Sequence, residues 1–85
     1  MWYIVVLFLS FNYDGSQNLY VFSEPTFNDF YECAGSASDP QQIPIYMEQM
    51  LLEYRGKLPG PVDKVSCINQ EVYDELLRTK ATVGT

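Results

Sequence analysis

Apolar side chains run unbroken from Trp2 to Leu9 and resume at Phe11, then recur in shorter periodic blocks along the chain. The first block is rich in β-branched and aromatic residues and is apolar at both odd and even positions. That pattern predicts a strand from Trp2 to Phe11, buried on two sides or on one side plus an interface. Alternation sets Trp2, Ile4, Val6 and Phe8 on one face and Tyr3, Val5, Leu7 and Leu9 on the other. Asn12 to Asn18 reads as a loop, and its Asp14-Gly15 step supplies the positive φ that a hairpin reversal needs. Leu19 to Ser23 is a second strand. Glu24-Pro25 ends it, because proline removes a ladder donor. The two strands are expected to form an antiparallel hairpin.

The period then changes from two to about 3.6. Thr26 is placed to cap a helix with Asp29 at its third position, in the relation of a capping box. Phe27, Phe30, Tyr31 and Ala34 follow as an apolar stripe, and Gly35 to Asp39 breaks it. Asp39 to Ile43 is a turn, since Pro44 disfavours helical geometry at Ile43. A second helix begins near Pro44 and gathers Met47, Met50, Leu51 and Tyr54 on one face. Arg55-Gly56 closes it with a basic residue and a C′ glycine. After the stiff loop Lys57 to Pro61, Val62 to Asn69 is a third strand, with Val65 and Cys67 on one face and Ser66 and Ile68 on the other. Gln70 to about Lys80 is a short helix presenting Val72, Tyr73, Leu76 and Leu77.

The order β-β-α-α-β-α predicts an α+β fold: a three-stranded antiparallel sheet with helices packed on one face. Residues 1–80 make one small domain and 81–85 a frayed tail. A chain of 85 residues buries only about 60–65% of its unfolded surface. Aromatic side chains compensate, each burying roughly 150–250 Å². Ten of them precede residue 32. The opening apolar run has the length of a signal-peptide core but no basic residue before it. Asn12-Tyr13-Asp14 follows where a small-residue cleavage site belongs, so the strand reading is preferred. A span of about 20 apolar residues, as a membrane helix needs, is not present in the sequence.

Charge is distributed unevenly. Residues 1–54 hold seven carboxylates and no lysine or arginine, whereas residues 55–85 hold five bases against four acids, so the net −6 belongs to the N-terminal part. A basic partner is favoured there and naked nucleic acid disfavoured. Histidine is absent, which removes Ser-His-Asp and Cys-His catalysis and histidine-containing zinc sites. Two cysteines alone complete no tetrahedral metal site. Asp29 with Glu32, and Glu48 with Glu53, read as solvated helix faces rather than an acid/base pair, because paired-carboxylate hydrolysis needs a cleft. Asp14-Gly15-Ser16 lacks the further ligands of a calcium loop. No enzyme activity, cofactor or metal is expected.

Cys33 and Cys67 are the most chemical pair left. A helix packed on the sheet can bring their Cα atoms within the roughly 4.4–6.8 Å that a disulfide requires. The alternative is two buried thiols acting as small hydrophobes. Tyr3, Tyr13, Tyr20, Tyr31, Tyr46 and Tyr54 exceed what a small core covers while satisfying every hydroxyl, and tyrosine is typical of interfaces. Helices in so short a chain cover one sheet face well but hardly two. An uncovered apolar face of more than a few hundred Å² marks an interaction site. Trp2, Tyr3 and Val5, with Tyr20 and Phe22 from the neighbouring strand, are therefore the candidate interface.

Four segments, Trp2 to Leu9, Tyr20-Val21-Phe22, Tyr31-Glu32-Cys33 and Val65-Ser66-Cys67, together resemble short uncharacterised proteins of tailed bacteriophages, marine ones in particular. The resemblance spans about two thirds of the chain and transfers no site residue. It implies a class: virion components such as capsid cement, decoration or adaptor proteins, or inhibitors of host machinery. The expected function is a non-catalytic protein-interaction or structural module, with a virion accessory protein as its concrete form. A small acidic inhibitor of a host enzyme and a small secreted disulfide-stabilised module are the alternatives. The expected partner is a protein, either a virion component, a host protein or a second copy, with no nucleic acid or membrane. The expected location is the virion or host cytoplasm rather than outside the cell.

Overall fold

The computed structural model describes residues 1–78 and the backbone of residues 82–84. Strands β1 (Trp2–Phe11) and β2 (Gln17–Phe22) are followed by helices α1 (Phe30–Ala37) and α2 (Ile43–Glu53). Strand β3 (Val62–Asn69), helix α3 (Gln70–Arg78) and a short strand β4 (Thr82–Gly84) complete the chain. The sheet order is β3-β1-β2-β4. β1 pairs antiparallel with both β2 and β3, and β4 joins β2 in parallel. The α+β class, the three-stranded antiparallel sheet and the order β-β-α-α-β-α are those expected from the sequence. The tail differs in part: residues 82–84 extend the sheet instead of fraying, while 81 and 85 lie outside the described residues. Backbone groups along β2, otherwise an open edge, give these three residues their partners.

The hairpin forms where the sequence places it. Gly15 adopts φ 89°, and Asp14 locks the turn by accepting from both the Ser16 amide (2.9 Å) and the Ser16 hydroxyl (2.6 Å). β1 is the central strand, with partners on both edges and cover on both faces. Its even positions Ile4, Val6 and Phe8 pack with Tyr20, Phe22, Cys33, Tyr46 and Met50 under α1 and α2. Its odd positions Tyr3 and Val5 join Val21 in a second cluster, against which Tyr73 and Leu76 of α3 pack.

The helices therefore do not share one face, which corrects the expectation: α3 lies opposite α1 and α2. The cause is local. β3 runs into α3 without a loop, and the Asn69 side chain accepts from the Val72 amide at 3.0 Å, which starts the helix at once. The chain turns back over the face that carries Ile68, opposite Tyr3 in the ladder. Tyr3 and Tyr73 stack with ring centroids 3.8 Å apart, and the Tyr3 hydroxyl donates to Gln70 Oε1 at 2.8 Å. Val72 and Leu77, expected on the buried side of α3, are exposed.

Helix α1 begins three residues later than the sequence pattern indicated. Asp29, not Thr26, is the cap: its backbone is extended and its carboxylate accepts from the Glu32 amide at 2.7 Å. Phe27 is unavailable to a helix because its N–H and C=O exchange hydrogen bonds with Trp2 at 3.0 and 2.8 Å. The helix continues through Gly35 to Ala37, where a break was expected, and the stripe turns with it. Cys33 is buried, whereas Phe30 and Tyr31 are exposed. Helix α2 buries Tyr46 and Met50, with Met47 and Tyr54 packed beside them and Leu51 exposed. It ends as a Schellman motif: Gly56 N–H reaches Leu51 O (2.8 Å) and Arg55 N–H reaches Leu52 O (3.2 Å). The left-handed C′ residue is Arg55, at φ 55°, and Gly56 occupies the position after it.

Candidate interaction site

The residues singled out as an interface are in the core. Tyr3, Val5, Tyr20 and Phe22 are each less than 10% exposed, and Trp2 is half-buried against Phe30, ring centroids 5.4 Å apart. The sheet face expected to stay open is closed by α3, so any contact surface must lie elsewhere. The tyrosines divide. Tyr3, Tyr20 and Tyr46 are buried, and the Tyr46 hydroxyl shares a 2.6 Å hydrogen bond with Ser36. Tyr13 and Tyr31 are fully or largely exposed.

Cys33 and Cys67 do meet. They form a disulfide between α1 and β3, with Cα atoms 6.2 Å apart. The bond ties the helix to an edge strand, for β3 pairs with β1 alone among the described residues. Beside the disulfide opens a cleft of about 300 Å³, walled by Phe30, Ala34 and Ala37 of α1, its C-cap Ser38, and Val65 to Cys67 of β3. The small side chains of α1 leave this space: a helix with bulkier residues there would close on the strand. Phe30 and Val65 are both more than two fifths exposed and give the cleft its apolar rim. The sequence did not point here. The signal available was the small-residue run Ala34 to Ser38, of which Gly35 onward was read as a helix break, followed in the third strand by an exposed Val65.

The electrostatics of this corner are negative. Asp29 stands at the start of the α1 wall and Asp39 just past its end; both hold a backbone amide, of Glu32 and Gln41 respectively, and neither has a cationic partner among the described residues. Among the described residues the single ion pair is Arg78–Glu75, at 3.7 Å within α3 on the opposite face of the sheet. Lys64 alternates with Val65 along β3 and so faces the α3 side. Three groups have displaced pKa values. Asp14 is lowered, first by the Ser16 hydroxyl and then by the Ser16 amide. Tyr20 is raised by burial and then by the charge of Glu53, and Tyr73 by burial and then by its neighbours Tyr3 and Asp74. None of the three lines the cleft, whose chemistry is that of apolar contact and backbone hydrogen bonding.

Among the described residues, no group of three or more His, Cys, Asp or Glu side chains is arranged to hold a metal. No helix among them is long and apolar enough to cross a membrane. Comparison with known proteins finds no matching family model, no matching curated protein and no matching solved structure.

Proposed function

We propose that this chain is a non-catalytic protein-interaction or structural module, and in concrete form a virion accessory protein: capsid cement, decoration or adaptor. The observation that carries the reading is the cleft between α1 and β3, open beside a strand edge and walled by side chains none of which titrates near neutral pH. Large apolar side chains at the hairpin end (Leu9, Phe11 and Tyr13) are exposed as well, as recognition surfaces are. The disulfide fits an oxidising setting, and virion surfaces are among the places where such bonds persist. The phage-like sequence segments give the module its concrete form. A second reading, an acidic inhibitor that occupies a basic cleft of a host enzyme, is favoured by the seven uncompensated carboxylates before Arg55. A secreted disulfide module remains the third.

Purification of the chain with its native partners separates these readings. A virion component is expected to co-purify in many copies with a shell or tail assembly. A one-to-one complex with a single host enzyme supports the inhibitor, and turnover of a substrate by the purified chain refutes both.

A further inference from the structure

We propose that the outer edge of β3 accepts an extended, lysine- or arginine-bearing peptide as an added strand, with an apolar side chain of that peptide seated in the α1/β3 cleft. This rests on the interaction reading above and names its site and partner chemistry. An edge strand presents the N–H and C=O groups of alternate residues outward, a template that an extended chain satisfies. Natural sheets guard such edges with charge or proline. Here Asp63 and Lys64 charge only the first half of the strand; Val65-Ser66-Cys67-Ile68-Asn69 carries neither guard, and residues Val62 to Ser66 are exposed.

Geometry supplies the side-chain pocket. Val65 and Cys67 face the α1 side of the sheet, so every second residue of an added strand points to that side, over the cleft. Phe30 and Val65 form its rim and Ala34 leaves its depth. The Cys33–Cys67 bond fixes the helical wall to the strand, which reduces the ordering cost of binding.

Charge decides between occupants. Pairing β3 with β3 of a second copy would bring together two chains of net −6, with Asp29 and Asp39 of both near the joint. Like-charge juxtaposition opposes that assembly, and the same carboxylates attract a basic peptide. The side chains of an added strand that point away from the cleft fall beside Lys64, so the basic residues belong on the cleft side at the ends of the peptide, next to Asp29 and Asp39.

The test is an amide NMR titration with a blocked peptide of about seven residues, an ordinary strand length, having leucine at its fourth position and lysines at its second and sixth, so that all three share one face. Shifts are expected in Val62 to Asn69 and in α1, with little change in α3. A peptide N-methylated at the alternate amides that face β3 keeps its charge but loses the hydrogen bonds it donates to that strand, and is expected to bind about tenfold or more weakly, at roughly 1 kcal/mol per bond lost. Ala34→Phe, which fills the cleft, is expected to weaken the unmodified peptide to a similar degree. Binding that ignores N-methylation, shifts confined to the acidic ends of α1, or no β3 shifts at saturating peptide each overturn the inference. So does a dimer in sedimentation whose β3 amides are protected from exchange. None of these results bears on co-purification with a native assembly, which tests the broader reading separately.

Discussion

Tyr20 shows how one buried phenol links packing to pH. Its ring lies 4.9 Å from that of Phe22 and 5.7 Å from that of Tyr54, and the residue is 2% exposed. Burial, then the nearby Glu53 carboxylate, disfavours the phenolate and raises the pKa above the ordinary value of 10.0. The unfolded chain loses this proton near pH 10, while the folded protein retains it to higher pH. Its contribution to stability is thus complete below about pH 10 and is lost as pH rises through the folded-state value. Tyr73 acts in the same direction, from a more exposed position. Urea midpoints measured from about pH 8 to 12, either side of the tyrosine range, should fall on the alkaline side. Tyr20→Phe keeps the ring packing and removes the titrating group, so its decline should be shallower. Parallel curves for the two proteins would place the alkaline sensitivity in other residues.

At the scale of elements, the tie between α1 and β3 matters most. α1 is a helix of eight residues with one fully buried side chain, Cys33, and the bond to Cys67 closes a separation of 34 residues. By the chain-entropy account a loop of that length is worth about 3–4 kcal/mol, a large share of the roughly 5–15 kcal/mol that stabilises an ordinary domain. Reduction, or the Cys33→Ala/Cys67→Ala double change, is expected to lower the unfolding free energy by about that amount. The two treatments should agree. An unfolding midpoint insensitive to reductant would leave the cysteines a packing role alone. The position of α1 was only partly legible. The acid at residue 29 was seen to belong to a helix start, but its role as cap depends on Trp2 claiming the backbone of Phe27, a contact between residues far apart in sequence.

For the whole molecule, the sheet covered on both faces and the one-ended charge set what the surface offers. With the odd face of β1 closed by α3, exposed apolar surface lies at the hairpin end, along α2 at Ile45 and Leu52, and at the outer edge of β3 with the cleft beside it. The net charge of −6 disfavours the approach of a phosphate backbone. No mobility shift with duplex or single-stranded DNA or RNA is expected at about 0.15 M salt, where exposed charges act over roughly 8 Å. A shift under those conditions would argue against both the virion-accessory and the inhibitor readings.

The sequence by itself determined what depends on neighbouring residues and on period. The two-sided apolar run of β1, the Asp14-Gly15 reversal, Pro44 at the start of α2 and the opposed directions of Cys67 and Ile68 in β3 were all legible there. The meeting of Cys33 and Cys67 was legible as one of two readings, because helix-on-sheet packing brings such a pair within reach. Which face each helix covers was settled only by the tertiary structure. Alternation says that Tyr3 and Val5 share a face, but not that a helix continuous with β3 will fold back over it. The same holds for the site. Tyr3, Val5, Tyr20 and Phe22 are apolar enough for either a core or an interface, and burial depends on what lies opposite. The cleft at Phe30, Ala34 and Val65 exists because a helix of small residues is held against an edge strand, a juxtaposition that no local pattern in the chain encodes.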